Sequence, residues 1–206
     1  MVITKIEKQK KNKERYNIFI DGEFIFGLYE DSLVKYGLRP GDELTPEKVK
    51  EMQEYDEFGY GKKVAYSFLA YKQRSKKELV KKLKLKKISE GSIEKITELL
   101  ENQKYLNDEI YAGNYLEDKL NSRPIGKNLA KLKLSEKGID KEVIESTLNK
   151  MYNEDKEMEY AEKVLEKYAK KVKYKDAADK KNKCYKYLIS KGFDFDTVRK
   201  VLSIEY

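Results

Sequence analysis

The stretch LSEKGIDKEVI, Leu134 to Ile144, decides the fold. It begins on an apolar position of one helix, runs through a lysine to Gly138, and sets a large apolar residue, Ile139, directly ahead of Asp140. Glycine accepts the left-handed conformation in which helices commonly stop, and aspartate accepts hydrogen bonds from the free N–H groups of a starting helix. The stretch is therefore a tight boundary between two helices. Two others align with it without a gap, LKLKKISEGSI at 83–93 and LISKGFDFDTV at 188–198, displaced by 51 and 54 residues. The shared frame is Leu83-x4-Ile88-Ser89-x3-Ile93, Leu134-x4-Ile139-Asp140-x3-Ile144 and Leu188-x4-Phe193-Asp194-x3-Val198. Gly138 and Gly192 take the left-handed position in two copies, and Lys87 takes it in the first.

A further helix precedes each pair, marked by Ala65-x3-Leu69, Ala112-x3-Leu116 and Ala161-x3-Leu165. That pattern is common on any helix, but together with the aligned turns it supports three copies of a three-helix unit. Such units bury their apolar faces partly on one another. The expected fold is mainly α: a tandem array of three three-helix repeats forming an elongated, curved molecule, preceded by a small β-rich N-terminal module. The expected divisions are 1–56 for that module, 57–106 for repeat 1, 107–153 for repeat 2 and 154–206 for repeat 3. A single helical bundle with accidentally similar turns is the competing reading.

The N-terminal module shows itself by a change of period. Val2 to Ile6 alternates, and Tyr16–Ile20 and Phe24–Phe26 are strand-like on either side of Asp21-Gly22, a strong hairpin signal because a type I′ turn needs positive φ. A short helix is expected over Glu30–Tyr36, closing at Gly37, and another starts at Thr45-Pro46-Glu47. Between the first two repeats lies ENQKYLNDEIYAGNYL, Glu101 to Leu116. There Asn107 is an N-cap, Asp108 and Glu109 place negative charge at the positive end of a helix dipole, and Leu106 is positioned to staple onto Tyr111. Tyr105, Leu106, Asn107 and Asp108, with Gly138 and Gly192, are thus expected to be structural residues of the repeat junctions.

Among 206 residues, 40% are charged, 39% are hydrophobic and the net charge is +8. Long charged side chains suit exposed helix faces, which favours a large surface. The stretch KQRSKKELVKKLKLKK, Lys72 to Lys87, holds nine basic residues and one acid, an excess equal to that of the entire chain. Ser75-x-x-Glu78 is a capping box, so this is a helix with Leu79 and Leu83 inward and lysine elsewhere. The expected contacts to a polyanion or an acidic protein groove are Lys72, Arg74, Lys76, Lys77, Lys81, Lys82 and Lys84, joined by Arg123 and Lys127 of the second repeat. A second basic stretch, Lys8 to Arg15, sits in the connection before the second strand, while Glu98 to Lys119 is acidic.

Catalytic readings find little support. The chain contains no histidine, which removes Ser-His-Asp and Cys-His arrangements and histidine metal sites. Its one cysteine, Cys184, forms no internal disulfide or thiolate zinc site and reads as a buried thiol on a helix face. Gly59-Tyr60-Gly61-Lys62-Lys63 lacks the upstream glycine and the following Ser or Thr of a phosphate loop. No enzyme, cofactor or metal is expected. No apolar run approaches the roughly 20 residues of a membrane span, and MVITKIEKQKK has no signal-peptide core, so the expected compartment is the cytosol.

The helical region, about residues 58–206, resembles the RecX family, bacterial regulators of the RecA recombinase. Arg74-Ser75-x2-Glu78-Leu79-x3-Leu83 is similar to the family's R-x-S-x-x-E-L-x-x-K-L, with Arg here directly before Ser. Tyr105-Leu106-Asn107-Asp108 is similar to its G-Y-[IL]-[ND]-D, with Lys104 in place of the usual Gly, so this helix end is expected to close differently. Arg123-x2-Gly126-x7-Leu134-x3-Gly138-Ile139 and Tyr187-Leu188-x2-Lys191-Gly192-Phe193-x4-Val198 match the later motifs. The N-terminal module is also like that ahead of the repeats in some members. The resemblance implies a non-enzymatic, cytoplasmic regulator of DNA repair and recombination. It would act as a monomer along the groove of a RecA–DNA filament, where it modulates, and mostly inhibits, ATP hydrolysis, strand exchange and co-protease activity. Single- or double-stranded DNA is a further expected partner, and a sequence-independent nucleic-acid-binding helical module is the alternative reading.

Overall fold

The computed structural model describes residues 1–205 and divides the chain into two compact units, residues 1–73 with 79–105, and residues 74–78 with those from 106 onward. Tyr206, the last residue of the expected third repeat, lies outside the described residues.

The first unit starts with three antiparallel strands in the order β1 (Ile3–Lys8), β2 (Arg15–Ile20) and β3 (Glu23–Tyr29). Asp21 and Gly22 join β2 to β3 with φ of 50° and 91°, both positive as a type I′ turn requires. Alternation then puts Phe26 and Leu28 of β3 with Ile18 and Ile20 of β2 on one face, where Ile3, Leu44 and Met52 complete a buried cluster. Helix α1 (Glu30–Tyr36) closes at Gly37 in left-handed geometry, φ 60°. Helix α2 (Pro46–Tyr71) has Pro46 in its first turn and Thr45 as its cap, the threonine side chain accepting the Lys48 N–H at 3.2 Å.

Here the structure departs from the expected division, because α2 runs through residues 56 and 57 without a break. Its middle is tied to the sheet region by Asp56, a buried carboxylate that accepts the Tyr29 N–H at 2.7 Å and the Ser32 hydroxyl at 2.6 Å. Its second half packs on α4 (Glu90–Asn102), where Gly61 lies against Ile96 so closely that a Cβ would collide. One helix therefore serves both the N-terminal sheet and the first helical repeat. Gly59–Lys63 lies inside it and forms no loop.

The remaining helices are α3 (Lys76–Leu85), α5 (Asp108–Ser122), α6 (Lys127–Glu136), α7 (Lys141–Met151), α8 (Glu154–Ala169), α9 (Ala177–Ser190) and α10 (Phe195–Glu205). The aligned stretches are three copies of one turn. Lys87, Gly138 and Gly192 have φ of 60°, 79° and 86°. In each copy the next residue's N–H reaches back to the frame leucine: Ile88 to Leu83 O at 3.2 Å, Ile139 to Leu134 O at 3.2 Å and Phe193 to Leu188 O at 3.4 Å. The left-handed residue itself donates to Lys84, Ser135 or Ile189, so all three are Schellman turns. This motif brings the apolar residue after the turn onto the leucine before it, and all six of these side chains are buried. Ser89, Asp140 and Asp194 then cap the following helices through their side chains. Each fully buried Leu or Ile in this frame contributes about 1.5–3 kcal/mol. The weaker mark holds in part: Ala65, Ala112 and Ala161 are wholly buried, and Leu116 and Leu165 are buried with them, but Leu69 is half-buried.

Two further clusters fill the second unit, one around Leu116, Leu134 and Leu148 and one around Leu165, Leu188 and Phe193 that includes the buried thiol of Cys184. Among the described residues no helix is long and apolar enough to cross a membrane.

Candidate functional site

The start of α3 is held by partners far along the chain. Ser75 and Glu78 form the expected capping box, the Ser75 N–H donating to Glu78 Oε2 at 3.2 Å and the Glu78 N–H to Ser75 Oγ at 3.3 Å. The Ser75 hydroxyl also donates to the Lys137 carbonyl at 2.7 Å, and the Lys76 N–H donates to the Asp108 carboxylate at 3.0 Å. Lys77 donates through Nζ to the Glu136 carbonyl at 3.1 Å, and its aliphatic stem lies over Gly138, where a Cβ would strike it. Glu78 completes the arrangement: it pairs with Lys137 Nζ at 2.7 Å and accepts the Tyr111 hydroxyl at 3.3 Å. Burial opposes ionisation of Glu78, but the Lys137 ammonium, the Ser75 N–H and the Tyr111 hydroxyl outweigh it and hold the carboxyl below the usual glutamate range.

The same arrangement recurs at the start of α6. The Gly126 N–H donates to the Lys191 carbonyl at 2.8 Å and the Asn128 N–H to the Gly192 carbonyl at 3.1 Å. A Cβ on Gly126 would run into the backbone of Gly192 and Phe193, so only glycine permits this approach. The Lys127 N–H donates to the Glu157 carboxylate at 3.0 Å, as Lys76 does to Asp108. In both places a helix N-terminus meets the carbonyl just before a left-handed turn and takes a carboxylate at its positive end. Burial pushes the Glu157 carboxyl up, with the Lys127 N–H opposing and Asp194 adding to it. In the third copy α9 begins a turn earlier, with 14 residues against 10 in α3 and in α6, and is capped by its own Asp176.

These contacts sort the expected contact residues. Arg74 is half-buried, and Lys76 and Lys77 are drawn into the docking of α3. Lys72 and Lys81 are exposed and form no salt bridge among the described residues, Lys84 pairs with Glu90 at 2.7 Å, and Lys82 lies 5.7 Å over the Phe68 ring. Helical spacing puts Lys77, Lys81 and Lys84 opposite the buried Leu79 and Leu83. Lys127 reaches towards Asn149 at 3.5 Å, while Arg123 is exposed and lines a different surface. The basic connection at 8–15 ends in a structural residue, since Arg15 donates to the Gly27 carbonyl at 3.0 Å and covers the Tyr29 ring.

The junction residues are where the sequence puts them. Asn107 accepts the Ile110 N–H at 2.9 Å, Asp108 holds the start of α3, Leu106 is buried, and Tyr105 is exposed with its ring edge-on to Tyr66. The exception is Lys104: its φ of 60° is left-handed, so this end closes as a glycine would close it.

Reading the lysine-rich run alone misses a second basic surface. Arg123 lines a groove of about 560 Å³ together with Lys119, Lys133, Lys167, Lys171 and Lys191. They are spread over four segments of chain; Lys167 and Lys171 belong to a local lysine-rich run, KYAKKVKYK at 167–175, and the others are dispersed. Among the described residues no cluster of carboxylates or thiols could hold a metal ion.

Comparison with known proteins agrees with this architecture. The family model for the regulatory protein RecX N-terminal domain matches residues 1–45, and those for the second and third three-helix domains of RecX match 107–148 and 154–202. Proteins named regulatory protein RecX from Staphylococcus aureus strains JH9 and Newman are 34% identical over 201 residues, spanning 98% of this chain and 73% of theirs. A crystal structure of regulatory protein RecX superposes with a TM-score of 0.71 at 28% identity, covering 97% of this chain and 98% of that one. That of RecX from Lactobacillus salivarius gives 0.65 at 30% identity, covering 72% and 96%.

Proposed function

This chain belongs to the RecX family of regulatory proteins, and from that premise we propose that it binds a RecA–DNA filament along its groove and restrains ATP hydrolysis, strand exchange and co-protease activity. The observation that carries the reading is the match to RecX relatives over 98% of the chain, turns and module included. The chemistry of the surface supports it. Regulation of this kind needs no reacting group, only occupancy of a surface that the filament uses, with charge steering the encounter. The α3 lysines Lys81 and Lys84, with Lys72 at the end of α2, supply the cations for acidic protein surface or for phosphate.

The test is a titration of RecA's DNA-dependent ATP hydrolysis with this protein. A saturable fall of several-fold is expected, at protein concentrations below those that coat free DNA. An unchanged rate at saturation overturns the reading. A second reading, a sequence-independent nucleic-acid-binding module, is favoured by the concentration of nine basic residues between Lys72 and Lys87.

A further inference from the structure

We infer that the groove shared by α5, α6, α8 and α9 is a binding site for an acidic peptide segment that carries a bulky apolar side chain. It lies wholly within the second unit, and only Arg123 is common to it and to the contact residues expected from the sequence.

Three observations select the occupant. The first is charge. Six cations line the groove, Lys119, Arg123, Lys133, Lys167, Lys171 and Lys191, and no carboxylate does. Lys133 pairs with Glu136 at 3.3 Å; the other five form no salt bridge among the described residues. Neighbouring lysines on α8 and at its C-terminal cap do: Lys163 pairs with Glu159 and Lys170 with Glu166. The segment thus pairs Lys163 and Lys170 and leaves Lys167 and Lys171 unmatched. Like charges gathered in a concavity repel one another and focus a positive potential that an anion relieves.

The second is the floor. Pro124, Ile125, Leu129 and Val164 line the groove beneath the cations. Phosphates gain nothing from such a surface, whereas a bulky aliphatic or aromatic side chain buries itself there. An apolar cavity of a few hundred Å³ with a few placed polar groups is the usual form of a ligand site.

The third is the state of the aromatic rings. Tyr168 and Tyr187 stack on one another with centroids 3.8 Å apart and planes within 7°, and the Lys191 ammonium sits 4.9 Å over Tyr187. The Tyr187 face that meets Tyr168 is closed to a base, and the Lys191 ammonium crowds the ring further. Single-stranded nucleic acid draws much of its affinity from stacking on open aromatic faces, so the groove is a poor match for it. Carboxylates flanking one apolar anchor meet both the rim and the floor.

The test uses the full chain and a short fluorescein-labelled peptide of aspartate and glutamate around one phenylalanine, followed by fluorescence anisotropy at physiological salt. Saturable binding is expected. Replacing the peptide's phenylalanine by alanine, or Lys167 and Lys171 together by alanine in the protein, is expected to weaken it by about tenfold or more. Both lysines are exposed and unpaired, so the variant keeps its fold, which far-UV circular dichroism checks. Lys81→Ala with Lys84→Ala is expected to leave peptide affinity unchanged, which separates this site from the α3 face. The proposal is overturned if no saturable binding occurs, or if the phenylalanine-free peptide binds equally well. It is also overturned if a labelled oligothymidylate binds more tightly than the peptide and loses that affinity in the Lys167, Lys171 variant, for then the groove is a nucleic-acid site. RecA enters none of these measurements, so the outcome is independent of the filament reading.

Discussion

Lys104 holds a backbone conformation that glycine holds at Gly138 and Gly192, with a φ of 60°. The sequence reading expects a lysine here to make the helix end differently, because a side chain in left-handed geometry costs on the order of 1 kcal/mol. It closes as a Schellman turn nonetheless: the Lys104 N–H reaches Glu101 O and the Tyr105 N–H reaches Leu100 O, each at 2.9 Å. These two bonds, with buried Leu106 and the capped start of α5 immediately behind, outweigh the strain. Lys104→Gly should therefore stabilise the protein slightly, by up to about 0.5 kcal/mol once glycine's larger unfolded-state entropy is subtracted. Urea denaturation reads this as a higher midpoint at unchanged slope. A lower midpoint would show that the lysine side chain contributes more than its backbone costs.

At the scale of elements, the turns were legible in the sequence and the docking was not. Leu134-x4-Ile139-Asp140 names a local event, in which leucine, left-handed residue, apolar residue and cap lie within one hydrogen-bonded loop. Such an event leaves a pattern at fixed spacing. The contact of the α3 start with Lys137 and Asp108, and of the α6 start with Lys191 and Glu157, joins residues 30 to 65 apart; Lys137 and Lys191 accept through backbone carbonyls, which any residue type can provide, and Asp108 and Glu157 through carboxylates that are common on any helix surface. Nor could composition show that α2 runs past residue 57, since its reason is tertiary: Asp56 faces the sheet and Gly61 faces Ile96. Only the glycines carry a trace of this. Gly126 sits where its neighbour's backbone leaves no room, so Gly126→Ala is expected to destabilise by about 1–3 kcal/mol and to speed amide exchange at residues 126 and 128. Gly113, inside α5 with nothing within 4 Å of a Cβ, provides the contrast: Gly113→Ala should stabilise by about 0.5–1 kcal/mol. Equal effects at the two positions would remove the close-approach argument.

For the whole molecule, the net charge of +8 resides in the Lys72–Lys87 run when residues are simply counted, but the fold redistributes what a partner meets. Lys77 is bound to the Glu136 carbonyl, Lys82 lies over Phe68, and Lys84 pairs with Glu90 at 2.7 Å. A second set of cations gathers in the groove from four separate segments of chain. The two basic surfaces then divide by chemistry: one is an exposed helix face, the other a cleft with an apolar floor. On the helix face an exposed ion pair such as Lys84–Glu90 is worth less than about 1 kcal/mol, so a phosphate can replace the glutamate at little cost. Each phosphate neutralised on a single strand adds about 0.7 to the slope of log affinity against log salt. Replacing Lys81, Lys82 and Lys84 by alanine should therefore flatten that slope for an oligothymidylate by about 1–2, whereas replacing Lys167 and Lys171 should leave it unchanged. If the triple variant keeps the wild-type slope, the α3 lysines do not touch phosphate, and the positive face of this helix serves an acidic protein surface instead.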